Sequence, residues 1–107
     1  MKLVIAIISG DDTSKVTRAL TKGNFTVTKL ATTGGFLMLG NTTLMIGTEE
    51  ENVPQLLEIL AKNCKAREQL VPASASHGVN LFSAPPIKVQ VGGATVFVLD
   101  VEQFIKL

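Results

Sequence analysis

The stretch Thr28–Gly47, TKLATTGGFLMLGNTTLMIG, decides how the rest of the chain is read. A strand-like segment runs up to Gly34-Gly35, and an apolar segment returns from it. A glycine pair supplies the positive φ angles that a tight hairpin turn demands, so two antiparallel strands are predicted. The returning strand is apolar at both parities, with Phe36, Met38, Leu44 and Ile46 on one side and Leu37, Leu39 and Met45 on the other. Gly40-Asn41 and Gly47 then interrupt it, and glycine inside a strand marks a bulge or a close backbone approach. A strand that only filled a core would need no such interruptions. The hairpin is expected to build an oligomer and to line a binding site.

Upstream, KLVIAIIS is a continuous β-branched run that reads as a strand buried on both faces. GDDTSKVTRALTKG follows, with Asp11, Asp12 and Thr13 as candidate N-caps, an apolar stripe at Val16, Ala19 and Leu20, and Gly23 closing a helix. NFTVTKLATT alternates Phe25 and Val27 against Thr26 and Thr28, as a strand with one polar face does. Downstream, TEEENVPQLLEILAKNCKAR predicts a second helix, with Asn52 at the N-cap and Pro54 in the first turn. Its apolar stripe is Val53, Leu56, Leu57, Leu60 and Cys64. Glu49–Glu51 sit at its positive end and Lys62, Lys65 and Arg67 at its negative end, as the helix dipole prefers. Val71–Pro86 has neither helical nor strand period and reads as a long loop, functional or mobile by its length. IKVQV, Gly92-Gly93 and ATVFVLDV give a final strand pair or one bulged strand, and EQFIKL a short C-terminal turn.

The order β-α-β-β-α-β is that of the ferredoxin-like α+β fold, an antiparallel sheet with two helices on one face. At 107 residues, one domain spans 1–107. The strands Leu3–Ile8, Phe36–Ile46 and Ala94–Val101 are apolar at both parities, and two short helices cannot cover both faces. Each large side chain left in water forgoes roughly 1.5–3 kcal/mol of burial, so the open face is expected to pack on copies of itself.

Composition excludes several classes. A formal net charge of +1 gives no electrostatic basis for nucleic-acid or membrane partners. The five phenylalanines are scattered, and without Tyr or Trp they make no stacking platform for single-stranded RNA. The single cysteine, Cys64, forms no internal disulfide, and the apolar run Leu3–Ile8 is shorter than the ~7–15 residues of a signal segment. A cytoplasmic protein is expected. His77 stands alone in the long loop, no carboxylate pair falls in an obvious cleft, and metal ligands are lacking, so neither catalysis nor a metal cofactor is expected. SGDDTS is acidic and carries no arginine-bearing phosphate loop of the acylphosphatase kind. What remains is binding. Bare backbone N–H groups at the strand glycines, beside Asn41, Thr28 and Thr32, suit a base edge or a phosphate without net positive charge.

Three segments carry a resemblance to a known family: NFTVTKLATTGGFLMLGNTTLMIG, REQL at Arg67–Leu70, and VQVGGATVFVLDVEQF. They resemble the PII-like cyclic di-AMP receptors over nearly the whole chain, least from Val71 to Pro86. The resemblance implies a non-catalytic, PII-like homotrimer that binds cyclic di-AMP in clefts between subunits. Its loops would respond to the ligand and alter contact with a downstream protein that the sequence does not name. Carried over residue by residue, Thr28 and Gly47 would contact one adenine and Asn41 would read its polar edge. Phe36 and Leu37 would pack on bases and ribose, and Gly35 would admit the phosphates. Gly92, Gly93, Ala94 and Thr95 would line the cleft from the adjoining strand, with Asn24 at the same rim.

Thr26 departs from the pattern, because relatives often carry an arginine there. A threonine hydroxyl does not replace a guanidinium fork, and losing one charge-assisted contact weakens binding by roughly 1.5–3 kcal/mol. Lys29 points to the opposite face of that strand. Two alternatives stand beside cyclic di-AMP: another adenine nucleotide (ATP, ADP or AMP), or a structural trimer whose glycines serve only turns and bulges.

Overall fold

The two-faced apolar run near the N-terminus lies at the inside of the sheet, where its composition requires it to be. In the computed structural model, which describes residues 1–31, 40–71 and 87–107, strand β1 (Lys2–Ser9) has a partner on each side. It pairs antiparallel with β3 (Asn41–Thr48) in the register Leu3 to Gly47 and Ser9 to Asn41. On the other edge it pairs antiparallel with β6 (Ala94–Asp100), Ile5 facing Phe97. Strand β2 (Val27–Ala31) completes the order β2-β3-β1-β6 by pairing with β3, Thr28 opposite Met45. The predicted hairpin thus exists as the β2–β3 pair, while the Gly34-Gly35 turn and the strand start at Phe36–Leu39 lie outside the described residues.

Helices α1 (Thr13–Lys22) and α2 (Val53–Asn63) form the α-layer. Val16 and Leu20 from α1 and Leu56 and Leu60 from α2 join Val4, Ala6, Ile8, Leu44 and Ile46 of the sheet in one buried core, with Phe25 and Cys64 at its margin. Leu57, expected in the α2 stripe, is exposed, while Ile59 packs against the core instead. Gly23 ends α1 with its N–H on the Ala19 carbonyl, but it is Asn24 that adopts the left-handed conformation (φ 68°) which turns the chain into Phe25. Asn tolerates that region better than most residues with a Cβ.

Two expectations need correction. Helix α2 stops at Asn63 rather than running on to Arg67, and Arg67–Val71, whose last residue was expected to open the long loop, is strand β4. The segment expected as a final strand pair or one bulged strand is two strands in two different sheets. Strand β5 (Ile87–Val91) pairs antiparallel with β4, Arg67 opposite Val91, and only β6 enters the main sheet. Gly92 and Gly93 carry the chain between the sheets with φ of 83° and 75°, a left-handed pair that glycine adopts without steric cost. The rest of the predicted loop, 72–86, lies outside the described residues.

The sheet face away from the helices is apolar in its middle. Leu3, Ile5, Ile7 and Met45 are half-buried there, and Leu30, Phe97 and Leu99 are exposed. The row Met45–Ile5–Phe97 runs across three strands by register alone. Nothing in the chain's own α-layer reaches this side.

Candidate functional site

The odd-numbered residues of β3 lie on that open face, so Asn41, Thr43, Met45 and Gly47 share it in order along the strand. Asn41 and Gly47 stand six residues apart, about 20 Å at the usual strand rise. The predicted site residues divide accordingly into two groups, one at each end of an apolar middle.

At the Asn41 end, Ser9 faces Asn41 across the ladder, and Gly92, Gly93, Ala94 and Thr95 complete a hollow of about 240 Å³. Several contacts fix this corner. The Gly10 N–H donates to the Gly40 carbonyl at 2.9 Å, and a Cβ on Gly10 would sit 3.0 Å from that oxygen. The Thr13 hydroxyl, at the start of α1, donates to that of Thr42 at 2.9 Å. Asp12 is buried (3% exposed), and its carboxylate accepts from both terminal nitrogens of Arg67 at 3.2 and 3.4 Å. Asp12 occupies the N-cap position of α1 without bonding the helix, because its oxygens are turned to Arg67.

At the Gly47 end, Thr26 and Thr28 of the β2 side stand beside Gly47 and line a broad hollow of about 610 Å³ with Leu3, Phe104 and Ile105. A smaller hollow of about 340 Å³ adjoins it, where Asn24, Thr26 and Gly47 meet Asn52 and Gln55 at the first turn of α2. Asn52, Gln55, Phe104 and Ile105 were not foreseen from sequence. Phe104 and Ile105 belong to the expected C-terminal turn, and the one signal they carry is an exposed apolar pair. Gly35, Phe36 and Leu37 lie outside the described residues.

The glycines do not share one explanation. Gly92 is demanded by the chain's own geometry: besides its positive φ, a Cβ there would meet the Lys65 carbonyl oxygen at 2.3 Å and Arg67 Nη1 at 2.6 Å. Gly47 is not. A Cβ on Gly47 would meet only Met1 Sδ, at an ordinary 3.8 Å, and its φ lies outside the left-handed range. Glycine in a strand costs roughly 0.5–1 kcal/mol against alanine. Among the described residues no contact requires glycine at position 47.

At the Asn41 end the chemistry is neutral hydrogen bonding by amide, hydroxyl and backbone groups, whereas at the Gly47 end the Thr26 and Thr28 hydroxyls stand among apolar side chains, with Lys106 at the edge. Among the described residues no cluster of His, Cys, Asp and Glu suits a metal ion, and no helix is long and apolar enough to cross a membrane. Burial pushes the Cys64 thiol up to about 11, with Asp12 adding to the shift and Lys15 and Arg67 opposing it. It is a packed side chain rather than a thiolate nucleophile.

Comparison with known proteins agrees with the fold. A crystal structure of a functionally unknown protein from Pediococcus pentosaceus ATCC 25745 is 48% identical, superposes with a TM-score of 0.74, and is matched over 99% of this chain and 96% of that one. The sequence profile described as "Cyclic-di-AMP receptor" matches residues 1–107. With its ferredoxin-like sheet and that match over the whole length, the chain belongs to the cyclic-di-AMP receptor family.

Proposed function

We propose that the protein is a non-catalytic receptor that binds cyclic di-AMP in clefts between the subunits of a homotrimer and relays occupancy to a partner protein. The observation that carries this reading is the layout of the open face. Hydrogen-bonding residues occupy its two ends, about 20 Å apart along β3, and apolar residues occupy the middle. One small ligand does not bridge those ends within a chain. Copies packed through Ile5, Met45 and Phe97 would bury the middle and bring the Gly47 end of one copy against the Asn41 end of the next. Gly47 then has its reason, as a bare position against which a base or a neighbouring chain lies flat. In this reading Thr28 and Gly47 hold one adenine, Asn41 reads its edge, and Gly92–Thr95 close the cleft, with Asn24 and Thr26 at the outer rim. Phe36, Leu37 and Gly35 are proposed for the base-stacking and phosphate contacts.

A second reading, a trimer for ATP, ADP or AMP, is favoured by one feature, the neutral Thr26 at the rim. Calorimetric titration with cyclic di-AMP, run beside ATP, AMP and cyclic di-GMP, separates them, with light scattering reporting the assembled mass. The expected result is a trimer binding about one cyclic di-AMP per subunit, selectively. Heat only with ATP or AMP would move the ligand assignment to the second reading, and no heat across the panel would sink both.

A further inference from the structure

Arg67, the first residue of REQL, touches neither hollow, yet it stands where three parts of the chain meet. Its guanidinium is held by the buried Asp12 carboxylate at the start of α1, and Nη1 also donates to the Lys65 carbonyl at 3.1 Å. On its other side it lies against Gly92, at the rim of the Asn41-end hollow, so closely that even a Cβ would collide with Nη1 at 2.6 Å. Arg67 is also the root of the β4–β5 arm, opposite Val91, the residue just before Gly92. The ligand rim, the corner at Asp12 and both strands of the arm are therefore pinned at one guanidinium.

We infer that Arg67 is a positioning residue, a latch that sets the Gly92–Thr95 rim and couples ligand occupancy to the β4–β5 arm. The inference rests on the receptor reading and deepens it by naming how the site reaches an element beyond it. The coupling is steep because of Asp12. Withdrawing Arg67 leaves a carboxylate 3% exposed without its partner, and a buried charge stripped of its counterion is strongly unfavourable. The pair is therefore made or broken as a unit, and a ligand that presses on Gly92 acts on both strands of the arm together. Linkage makes the effect reciprocal: whatever holds the arm also alters the affinity for the ligand.

The test is backbone hydrogen exchange and calorimetry on the full chain, wild type beside Arg67→Lys and Asp12→Asn. Lysine keeps the charge but loses the fork that grips both carboxylate oxygens and the Lys65 carbonyl. In the ligand-free Arg67→Lys protein, amides of Thr95, Glu68 and Gln90 are expected to exchange at least about tenfold faster, while those of Ala6 and Leu44 keep wild-type rates. Cyclic di-AMP is expected to protect the arm amides in wild type but not in the variant, with Kd raised about tenfold, a difference of about 1.4 kcal/mol. Unchanged exchange at Thr95 in both ligand-free variants overturns the latch, whatever the ligand. Wild-type Kd and wild-type arm protection in Arg67→Lys overturn the positioning role. Absence of binding to the wild type is a different failure: it removes the receptor reading, and the ligand-free comparison still decides the latch.

Discussion

Gly47 and Gly92 look alike in the sequence, each a glycine beside a strand residue, and the structure gives them opposite roles. At Gly47 a Cβ meets only an ordinary contact with Met1 Sδ, at 3.8 Å, so Gly47→Ala is expected to leave stability unchanged or raise it slightly, by up to about 0.5–1 kcal/mol. Cyclic di-AMP affinity is expected to drop at least about tenfold, near 1.4 kcal/mol. A variant that loses stability but keeps affinity would return Gly47 to a purely structural role. The division between them was invisible to sequence reading because φ and the distance to Lys65 depend on where β4 runs, and β4 was not foreseen. Cys64 supplies an independent check on the corner beside Asp12. An ordinary thiol loses its proton near 9.0, and the folded environment delays that to about 11. The unfolded chain therefore ionises first, and this contribution to stability is lost as pH rises through that window. The stability difference between wild type and Cys64→Ala, followed by denaturant unfolding, is expected to shrink from about pH 9 to about pH 11. Parallel pH curves would show that the thiol is not shielded.

Among the elements, those with a strong period or an unbroken apolar run were legible. Val4, Ala6 and Ile8 face the helices because a run apolar at both parities suits only an inner strand, and α2 begins where Pro54 and the apolar stripe place it. The buried stripe differs from the expected one at two positions, Leu57 facing water and Ile59 packing on the core. Leu60 is 1% exposed and Leu57 38%, so Leu60→Ala is expected to cost about 2–5 kcal/mol and Leu57→Ala about 0.5 kcal/mol or less, both by denaturant unfolding. Equal costs would mean that α2 is rotated from the orientation described. Strand β4 escaped notice for a physical reason. REQLV is short and mixed in character, and its stability as a strand comes from pairing with a segment far along the chain. Its partner β5 was seen as a strand, but which sheet it entered depended on the left-handed Gly92-Gly93 break. Non-local pairing leaves no period to read.

On the scale of the whole molecule, the middle of the open sheet face is left exposed among the described residues. Phe97 is 52% exposed at its centre, level with Ile5 and Met45. Phe97→Glu is expected to lower the mass measured by light scattering from trimer to monomer while the far-ultraviolet circular dichroism is retained, since the side chain does not enter the core. A trimer that survives this change would place the contact elsewhere. The fold was legible at this scale because two-faced apolar strands demand cover from both sides. Of the candidate site only a set of residues can be read from sequence, because what divides the described ones into two groups is the register of β3 against β1 and β2.

That division has a genetic consequence. Gly47 and Asn41 sit at opposite ends of the same strand face, so in the proposed ring each cleft would draw one of them from each neighbour. In the proposed trimer, a copy carrying Gly47→Ala and a copy carrying Asn41→Ala would each be weakened in every cleft when assembled alone. Co-expressed, they form mixed rings in which one junction joins the unaltered Gly47 end of one allele to the unaltered Asn41 end of the other. Two alleles weakened at opposite ends of the same face are thus expected to complement each other, mixed rings binding cyclic di-AMP more tightly at that junction than either variant ring does alone.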